Sequence, residues 1–521
     1  MSGFPLDDAW IHQTYARNLA RSGQLAFIPG IPSAGSTAPL WSFLLSLGYL
    51  LGIPFQIWTY GLGIICLGLT GWTTSRLARQ LFPEQSRLPL WVGLFCLAEW
   101  HLIWASVSGM ETILFVWLSL FLVERYLQSA DPQDARPTWA QSEGRGTQGA
   151  ITNNQLLAFL SLGLLGGLLT LTRPEGLGLV GLIGMDMVWR WYRRELKGTQ
   201  GTEGFSVPSV PFSSYQFPQF LLLRLLSLGL GVILLLTPYI AFHLWNTGQP
   251  FPNTFYAKQA EYRIVLESYP LWGRLFGNFG ESVETVQGVF RVIFIGAQIL
   301  LLPGLLFAAW LTIKQRRTSL LIIWLWWLGF LLLYGLRLPV TYQHGRYQIP
   351  AIPWVILLGL WGTAGLLDRL PRRSLSGRVI RPVVLASLAL LLLAFTFIGA
   401  RAYGRDVRFI QSEMVAVAYW LRDNTVPEAL IAAHDIGAIG YFAERPLIDL
   451  AGLITPEIIP IIRDEPALFD FINARRAEYL VTFPSWYPQL TRNPRLVPLY
   501  STQTTASQHA GSDNMTVYQI K

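Results

Sequence analysis

Apolar runs of about 20 residues follow one another from residue 57 to residue 400, separated by short polar segments. A helix of that length crosses the roughly 30 Å hydrocarbon core of a bilayer. The ten predicted spans lie near residues 57–75, 88–107, 110–127, 155–172, 174–191, 220–245, 289–313, 318–337, 349–367 and 382–400. The pattern therefore predicts an all-α polytopic membrane protein with a bundle of about ten spans.

The N-terminal part of the chain has a different pattern. Residues 1–36 are polar and contain breakers such as Gly30 and Pro32, which predict a loop. The apolar stretch from Pro39 to Gly52, about 14 residues, is too short for a full span. It predicts an interfacial or re-entrant helix instead.

From residue 401 the composition becomes that of a soluble domain, and an amphipathic helix is predicted over Val407–Trp420. Short β-type runs follow at Ala429–Ala433, Pro446–Leu450, Tyr479–Phe483, Leu496–Tyr500 and Met515–Ile520. The predicted parts are residues 1–56, a first loop with an interfacial helix, residues 57–400, the bundle, and residues 401–521, a small α/β domain. The polar segments 129–154 and 198–218 are predicted linkers.

Basic residues orient the predicted bundle, because they cluster after each odd-numbered span. They are Arg76, Arg79 and Arg87; Arg125, Arg136 and Arg145; Arg190, Arg193, Arg194 and Lys197; Lys314, Arg316 and Arg317; and Arg369, Arg372, Arg373, Arg378 and Arg381. Loops rich in Arg and Lys lie on the cytoplasmic side. The count therefore predicts that residues 1–56, the loops 246–288 and 338–348 and the C-terminal domain are extracytoplasmic.

Composition agrees with a protein of the cell membrane. Only 13% of residues are charged, against roughly 25% in soluble proteins, and 21 Trp and 20 Tyr suit the membrane boundary. The net charge of +8 resides mostly in short loops, so it does not indicate a nucleic-acid partner. Cys66 and Cys96 lie inside apolar runs and imply no disulfide framework. No signal peptide precedes the polar N-terminus, so we expect the gene product to begin earlier, with a further helix.

Charged side chains at membrane depth are costly, which makes each of them a functional candidate. Several converge on the predicted outer side, from five separate segments. They are Asp7, Asp8 and His12; Glu111; Arg173 and Glu175; Tyr256 and Lys258; and His344 and Arg346. Cations in this position suit a lipid phosphate, and a carboxylate beside them suits a general base that deprotonates an acceptor hydroxyl. Of the two adjacent aspartates, Asp7 is the preferred base.

Each candidate also has a structural interpretation. Two acids near a terminus are often just solvated, and Glu111 and Glu175 stand at predicted helix starts, where acids stabilise the helix dipole. Arg173 can cap a helix end, and Lys258 and Arg346 can be interfacial anchors. His12 and His344 are interpreted as hydrogen-bonded loop residues, and His434-Asp435 as a structural turn.

Several short motifs resemble those of the GT-C superfamily of integral-membrane glycosyltransferases. They are Leu6-Asp7-Asp8-Ala9-Trp10-Ile11, Ser36-Thr37-Ala38-Pro39-Leu40-Trp41, Leu171-Thr172-Arg173-Pro174-Glu175-Gly176, the stretch Pro252 to Lys258, Arg346-Tyr347 and Asp435-Ile436-Gly437-Ala438-Ile439-Gly440-Tyr441. The chain is most similar to the bacterial branch that resembles mycobacterial terminal arabinofuranosyltransferases. Protein O-mannosyltransferases and the lipid A aminoarabinose transferase are more distant. The family normally has a helix before the first of these motifs.

The resemblance implies a polyprenyl-phosphate-sugar donor and an acidic base in the first outer loop, which corresponds to Asp7 or Asp8. The implied acceptor is a hydroxyl group of a glycan, lipid or protein. Other functions left open are a membrane transporter or lipid-sugar flippase and a non-catalytic scaffold for envelope assembly. No cofactor is required by the pattern, and although the two aspartates can bind a divalent cation, no fuller set of oxygen ligands is present in the sequence.

Overall fold

The computed structural model describes residues 3–130, 153–199, 219–277, 287–371, 375–505, 507 and 513–521. The predicted linkers, 129–154 and 198–218, fall almost wholly outside these ranges. Helices account for most of the described chain. They are α1 Asp7–Ser22, α2 Pro39–Leu50, α3 Phe55–Leu81, α4 Leu88–Ala98, α5 Trp100–Val107, α6 Thr112–Ala130, α7 Asn153–Thr172, α8 Gly176–Thr199, α9 Gln219–Thr247, α10 Asn253–Glu261, α11 Arg263–Ser268, α12 Leu271–Phe276, α13 Val289–Val292, α14 Leu302–Lys314, α15 Leu321–Arg337, α16 Tyr342–Gly345, α17 Ile352–Asp368, α18 Leu375–Ile410, α19 Ala416–Asn424 and α20 Glu465–Ala474.

Helices occupy all ten positions predicted as spans. Within the described ranges, six helical stretches are long and apolar enough to cross a membrane: Asn153–Thr172, Gln219–Thr247, Ala297–Lys314, Thr318–Arg337, Tyr342–Asp368 and Gly377–Asn424. The pair α4 and α5, bent by 53°, makes a seventh if it is one span. The other three, α3, α6 and α8, contain charged side chains that pair, such as Arg76 with Glu124 at 2.6 Å. The predicted multi-pass helical membrane protein is confirmed.

The loop predicted over residues 1–36 is wrong, because α1 occupies much of it. Two acids in its first turn match the helix dipole, and Gly23, with φ of 69°, ends it. The helix is enclosed between the bundle and the C-terminal domain, so it buries polar as well as apolar side chains. Gln13, for example, donates to the Thr59 hydroxyl at 2.8 Å. Because many of the side chains that α1 buries are polar, the segment has the composition of a loop, and that composition does not indicate a helix.

The short helix predicted from Pro39 to Gly52 is present as α2, which is 12 residues long. The amphipathic helix predicted over 407–420 is not a separate element. Instead α18 continues through a π-helical turn, Gln411–Val415, into α19, so that one helical rod leads from the membrane bundle into the C-terminal domain.

The C-terminal domain contains a five-stranded sheet. Its strands are β3 Ile431–Ala433, β4 Leu447–Asp449, β5 Tyr479–Thr482, β6 Leu496–Ser501 and β7 Thr516–Ile520. A separate small hairpin, formed by β1 Ala26–Ile28 and β2 Ile31–Pro32, follows α1 near the N-terminus. The strand order is β4-β3-β5-β7-β6, with β3 parallel to β4 and β5, and β7 antiparallel to β5 and β6. All five predicted strands are confirmed. One face of the sheet packs on α20 through Leu468, Ile472 and Leu480.

Glu413, in the π-helical turn, ties the helical rod to this sheet. Its side chain is completely buried and accepts hydrogen bonds from the Thr502 and Thr504 hydroxyls. It also accepts from Ser507 at 3.0 Å and from the Met515 main-chain N–H at 2.9 Å. A buried carboxylate is tolerated when hydrogen bonds replace its hydration, so this cluster fixes the domain on the rod.

Candidate active site

Asp7, in the first turn of α1, is bound to the C-terminal domain. Its carboxylate accepts the main-chain N–H of Gly437 at 2.7 Å and that of Ala438 at 2.8 Å. The residue is 8% exposed. Burial raises the pKa of Asp7 to about 7, although the two N–H groups act in the opposite direction. Both carboxylate oxygens are therefore engaged in holding α1 to the domain.

Asp8, the next residue of α1, pairs with a residue outside that domain, Arg346. Its side chain is 35% exposed and forms an ion pair with Nη2 of Arg346 at 2.7 Å. Burial acts to raise the pKa of Asp8, but the charges of Arg346 and Lys258 outweigh it and hold that pKa at about 2. Asp8 is thus an ionised carboxylate at neutral pH, with part of its surface accessible.

Arg346 and Lys258, the cation pair, meet at the hydroxyl of Tyr347. Arg346 Nη2 donates to this oxygen at 2.9 Å, and Lys258 Nζ donates to it at 2.5 Å. The Arg346 side chain is only 7% exposed, yet within the described ranges its Nε and Nη1 have no hydrogen-bond partner. Lys258 comes from α10, and Arg346 lies near the start of the span Tyr342–Asp368. Tertiary structure therefore brings the two cations and Asp8 together from three distant segments.

A second cluster lies beside the cation pair. His12 Nε2 is 3.3 Å from a carboxylate oxygen of Glu111, and Arg173 Nε is 3.8 Å from the other. Arg173 also donates to the Tyr334 hydroxyl at 2.7 Å, and that hydroxyl donates to Glu175. Glu111 therefore lies between a histidine and an arginine.

The two clusters are in contact, since the Arg173 guanidinium is 5.3 Å from the centre of the Tyr347 ring. Seven of the ten sequence-predicted side chains thus form one continuous polar group with Asp8 at its edge: Asp8, His12, Glu111, Arg173, Glu175, Lys258 and Arg346. Asp7 adjoins it but is engaged by the C-terminal domain.

His344 and Tyr256 lie apart from this group. His344 Nε2 is 2.8 Å from the Asp406 carboxylate, and its ring packs between Trp100 and Trp104 at 5.3 and 5.4 Å. Tyr256 is half-buried, packs against Phe255 and forms no hydrogen bond within the described part of the chain.

Sequence reasoning missed the roles of Tyr347 and Tyr334 in organising these charges. Tyr347 stands next to Arg346 in an aromatic and basic loop, a pattern that indicates a polar contact. Tyr334 lies inside the apolar span Thr318–Arg337, where nothing in the sequence distinguishes it from the neighbouring side chains.

The C-terminal domain positions α1, which carries Asp8, and α10, which carries Lys258. It holds α1 through Asp7 and through Arg17, which donates to the Tyr441 carbonyl at 2.9 Å. It holds α10 through Asn253, which donates to the Leu453 carbonyl at 3.1 Å, and through Arg463, which donates to the Glu261 carbonyl at 2.6 Å. The placement of Asp8 relative to Lys258 therefore depends on this domain.

No three His, Cys, Asp or Glu side chains of the described residues come together in a way that could bind a metal ion. The described residues place the unpaired N–H donors of the buried Arg346 beside the ionised carboxylate of Asp8. Such an arrangement can bind a phosphate and accept a proton from a neighbouring hydroxyl group.

The fold is similar to those of several solved structures. ArnT from Cupriavidus metallidurans, bound to undecaprenyl phosphate, matches with a TM-score of 0.56 and 16% identity over 98% of this chain and 93% of that chain. The oligosaccharyltransferase of Archaeoglobus fulgidus in the apo form matches with a TM-score of 0.53 and 12% identity, over 92% of this chain and 66% of that chain. Its complex with an inhibitory peptide and a dolichol-phosphate, named AglB, gives a TM-score of 0.51 and 13% identity, over 91% and 65%.

Sequence comparison adds less. No curated protein matches the chain. A family model described as a domain of unknown function, DUF8728, matches residues 403–518, which contain the sheet of the C-terminal domain. At the identities above, structural likeness establishes the fold alone. This chain therefore has the fold of these proteins, which is the GT-C fold expected from its motifs.

Proposed function

We propose that this protein is a glycosyltransferase that moves a sugar from a polyprenyl-phosphate donor to an acceptor hydroxyl on the extracytoplasmic side of the membrane. The observation that carries the proposal is Arg346, a buried guanidinium next to Lys258, whose Nε and Nη1 nitrogens have no hydrogen-bond partner among the described residues. Unused buried donors are costly, and phosphate oxygens are the acceptors that arginine binds most strongly. The bound undecaprenyl phosphate of ArnT and dolichol-phosphate of AglB support a lipid phosphate as the ligand.

We assign the general base to Asp8 rather than Asp7. Asp7 uses both oxygens on main-chain N–H groups, whereas Asp8 is ionised, partly exposed and paired with a phosphate-binding cation. An incoming phosphate competes with Asp8 for Arg346. Donor binding therefore releases the Asp8 carboxylate at the moment when a base is needed.

The reaction then has a simple balance of atoms. The acceptor oxygen forms a bond to the anomeric carbon of the sugar, and its proton passes to the Asp8 carboxylate. The bond between the anomeric carbon and the phosphate oxygen breaks. Polyprenyl phosphate leaves with the additional negative charge, which Arg346, Lys258 and the Tyr347 hydroxyl stabilise.

The cation pair can be tested with undecaprenyl phosphate itself as the probe, using the full chain in lipid nanodiscs. We expect R346A and K258A each to weaken binding by about tenfold or more, since a charge-assisted hydrogen bond contributes about 1.5–3 kcal/mol. Matched controls are R337A and K314A, which remove exposed basic side chains at helix ends. Binding by R346A as tight as that of the unaltered chain overturns the proposal.

A turnover assay tests the transfer itself. Membranes that contain the chain are given polyprenyl-phosphate arabinofuranose, mannose and glucose in turn, and sugar release is measured. We expect release from at least one donor, and its loss in R346A. Binding of undecaprenyl phosphate without release from any donor would favour a lipid-phosphate transporter instead.

A further inference from the structure

The carboxyl ends of the parallel strands β3 and β5 form a polar edge that faces the candidate active site. His434 and Asp435 follow β3, and Trp486 and Tyr487 follow β5. Gly437 and Ala438, two and three residues beyond Asp435, are the groups that bind Asp7. Ligands of open α/β sheets bind beyond the carboxyl ends of the strands. This edge is therefore placed to meet a molecule that approaches Asp8.

Asp435 and His434 have hydrogen-bonding capacity that the described residues do not use. Asp435 Oδ2 is buried and has no hydrogen-bond partner there. His434 Nδ1 pairs with the Tyr487 hydroxyl at 2.7 Å, which leaves Nε2 available. Burial raises the pKa of Asp435 well above its usual range, and the charges of Asp7 and Asp8 raise it further. A carboxyl oxygen without a partner can accept a hydrogen bond from a hydroxyl group of a ligand.

Trp486 adds a flat apolar surface to these polar groups. It is 45% exposed, and its ring centre lies 5.1 Å from that of His434 and 4.9 Å from that of Phe483. A large exposed aromatic ring beside unpaired polar groups suits an amphipathic ligand. A sugar ring is such a ligand, because its C–H face packs on the aromatic ring while its hydroxyl groups bond to carboxyl and imidazole groups.

We propose that His434, Asp435 and Trp486 form a carbohydrate-binding subsite that holds a glycan acceptor. Trp486 supports one sugar ring, and Asp435 and His434 bind its hydroxyl groups. The delivery of an acceptor hydroxyl to Asp8 rests on the proposed function, whereas the binding of the glycan does not. A glycan acceptor is favoured over a peptide because Asp435 and His434 offer side-chain groups, while β3 and β5 are inner strands that already pair on both sides.

The full chain in nanodiscs is first applied to an array of defined oligosaccharides built from hexoses, pentoses and N-acetylhexosamines. We expect binding to a subset of them. W486A and D435N should each weaken that binding by about tenfold or more, since each removes a contact that the sugar uses. W486F should retain most of the affinity, because it keeps an aromatic ring. D470N, an exposed aspartate of α20 in the same domain, is the matched control and should bind normally.

Undecaprenyl phosphate binding by the same variants separates this inference from the proposed function. W486A and D435N should bind the lipid phosphate as tightly as the unaltered chain does. The same result is expected of H434Q, a variant of similar size. Glycan binding without lipid-phosphate binding removes the proposed function and leaves the subsite. An array without any bound glycan, or equal glycan binding by D435N, W486A and the unaltered chain, overturns the subsite. Selective binding to a peptide array instead overturns it as well.

Discussion

Asp7 and Asp8 are neighbours in the sequence and have different surroundings in the fold. Successive side chains on a helix point about 100° apart, so one of them meets the C-terminal domain and the other meets the cation pair. Asp7 receives two main-chain N–H groups, and Asp8 receives a guanidinium. Because their partners differ, Asp7 has a positioning role and Asp8 has the proposed chemical role, although the two residues are of the same type.

Substitution of each aspartate by asparagine distinguishes these roles. D8N removes the proposed base, so we expect turnover to fall by about 10²- to 10⁴-fold while undecaprenyl phosphate still binds. D7N replaces one of the two carboxylate oxygens, each of which accepts a main-chain N–H group, by an NH₂ group that cannot accept it. We expect it to lower the free energy of unfolding by about 1–3 kcal/mol and to reduce turnover less than D8N does.

The measurements are sugar release from the donor panel and thermal unfolding in nanodiscs. A larger loss of turnover in D7N than in D8N, with unchanged stability, would return the role of base to Asp7. Turnover by D8N at the unaltered rate would remove Asp8 from the chemistry.

The pH dependence of kcat/KM tests the influence of Arg346 on Asp8. The base must be ionised, so activity is lost as pH falls through its pKa, which Arg346 and Lys258 hold at about 2. In R346Q the main opposing charge is gone, and burial raises the pKa of Asp8. We therefore expect the acid limb of the residual kcat/KM of R346Q to move to higher pH by roughly one unit or more. The acid limb should stay in place in R337Q, which serves as the control. An unmoved acid limb in R346Q would contradict the claim that the ion pair with Arg346 lowers the pKa of Asp8.

At the scale of elements, α1 and α10 are brought together because both dock on the C-terminal domain. The contact with α1 is especially close at Gly437. A Cβ atom at this position would overlap the main-chain oxygen of Asp7 and lie 2.7 Å from its carboxylate. Only glycine allows the two main-chain N–H groups to reach Asp7.

G437A should therefore displace α1 from the domain. We expect a loss of about 1–3 kcal/mol in the free energy of unfolding, as for other overpacked contacts, and a fall in turnover. Lipid-phosphate binding should persist, because Arg346 and Lys258 do not contact Gly437. G404A is the matched control, since a Cβ there meets nothing within 4 Å. Equal turnover in G437A and G404A would show that the position of α1 does not limit the reaction.

At the scale of the whole molecule, the candidate site and a group of basic segments lie at opposite ends of the bundle. The candidate site and the C-terminal domain share one end. At the other, two basic segments meet, where Arg317 donates to the Leu81 carbonyl at 3.0 Å and pairs with Glu84 at 2.6 Å. Because basic loops favour the cytoplasm, this arrangement predicts that the site faces outward.

Cysteine labelling of intact cells tests that orientation. The native Cys66 and Cys96 are buried, so they contribute little background. A membrane-impermeable maleimide should label D470C, in the C-terminal domain, and should label K314C, at the basic end, only after the cells are opened. Labelling of K314C but not D470C in intact cells would invert the topology.

The sequence by itself determined the membrane class, the positions of the ten apolar helical segments and the five strands of the C-terminal domain. These properties depend on local patterns, namely the length of apolar runs and the alternation of short β-type segments, which act within about 20 residues. It also identified Asp8, Lys258 and Arg346 as candidates, because charge near a membrane span is rarely placed there without a function.

Tertiary structure alone decided which of these residues meet. The helix α1 has the polar composition of a loop, because the fold buries many of its polar side chains, and the Gly437 and Ala438 N–H groups reach Asp7 from more than 400 positions away. The meeting of Asp8, Lys258 and Arg346 follows from the docking of α1 and α10 on one domain, and the unused donors of Arg346 exist only in that packed arrangement. No local pattern contains such contacts, because they are set by the packing of segments that the chain itself keeps far apart.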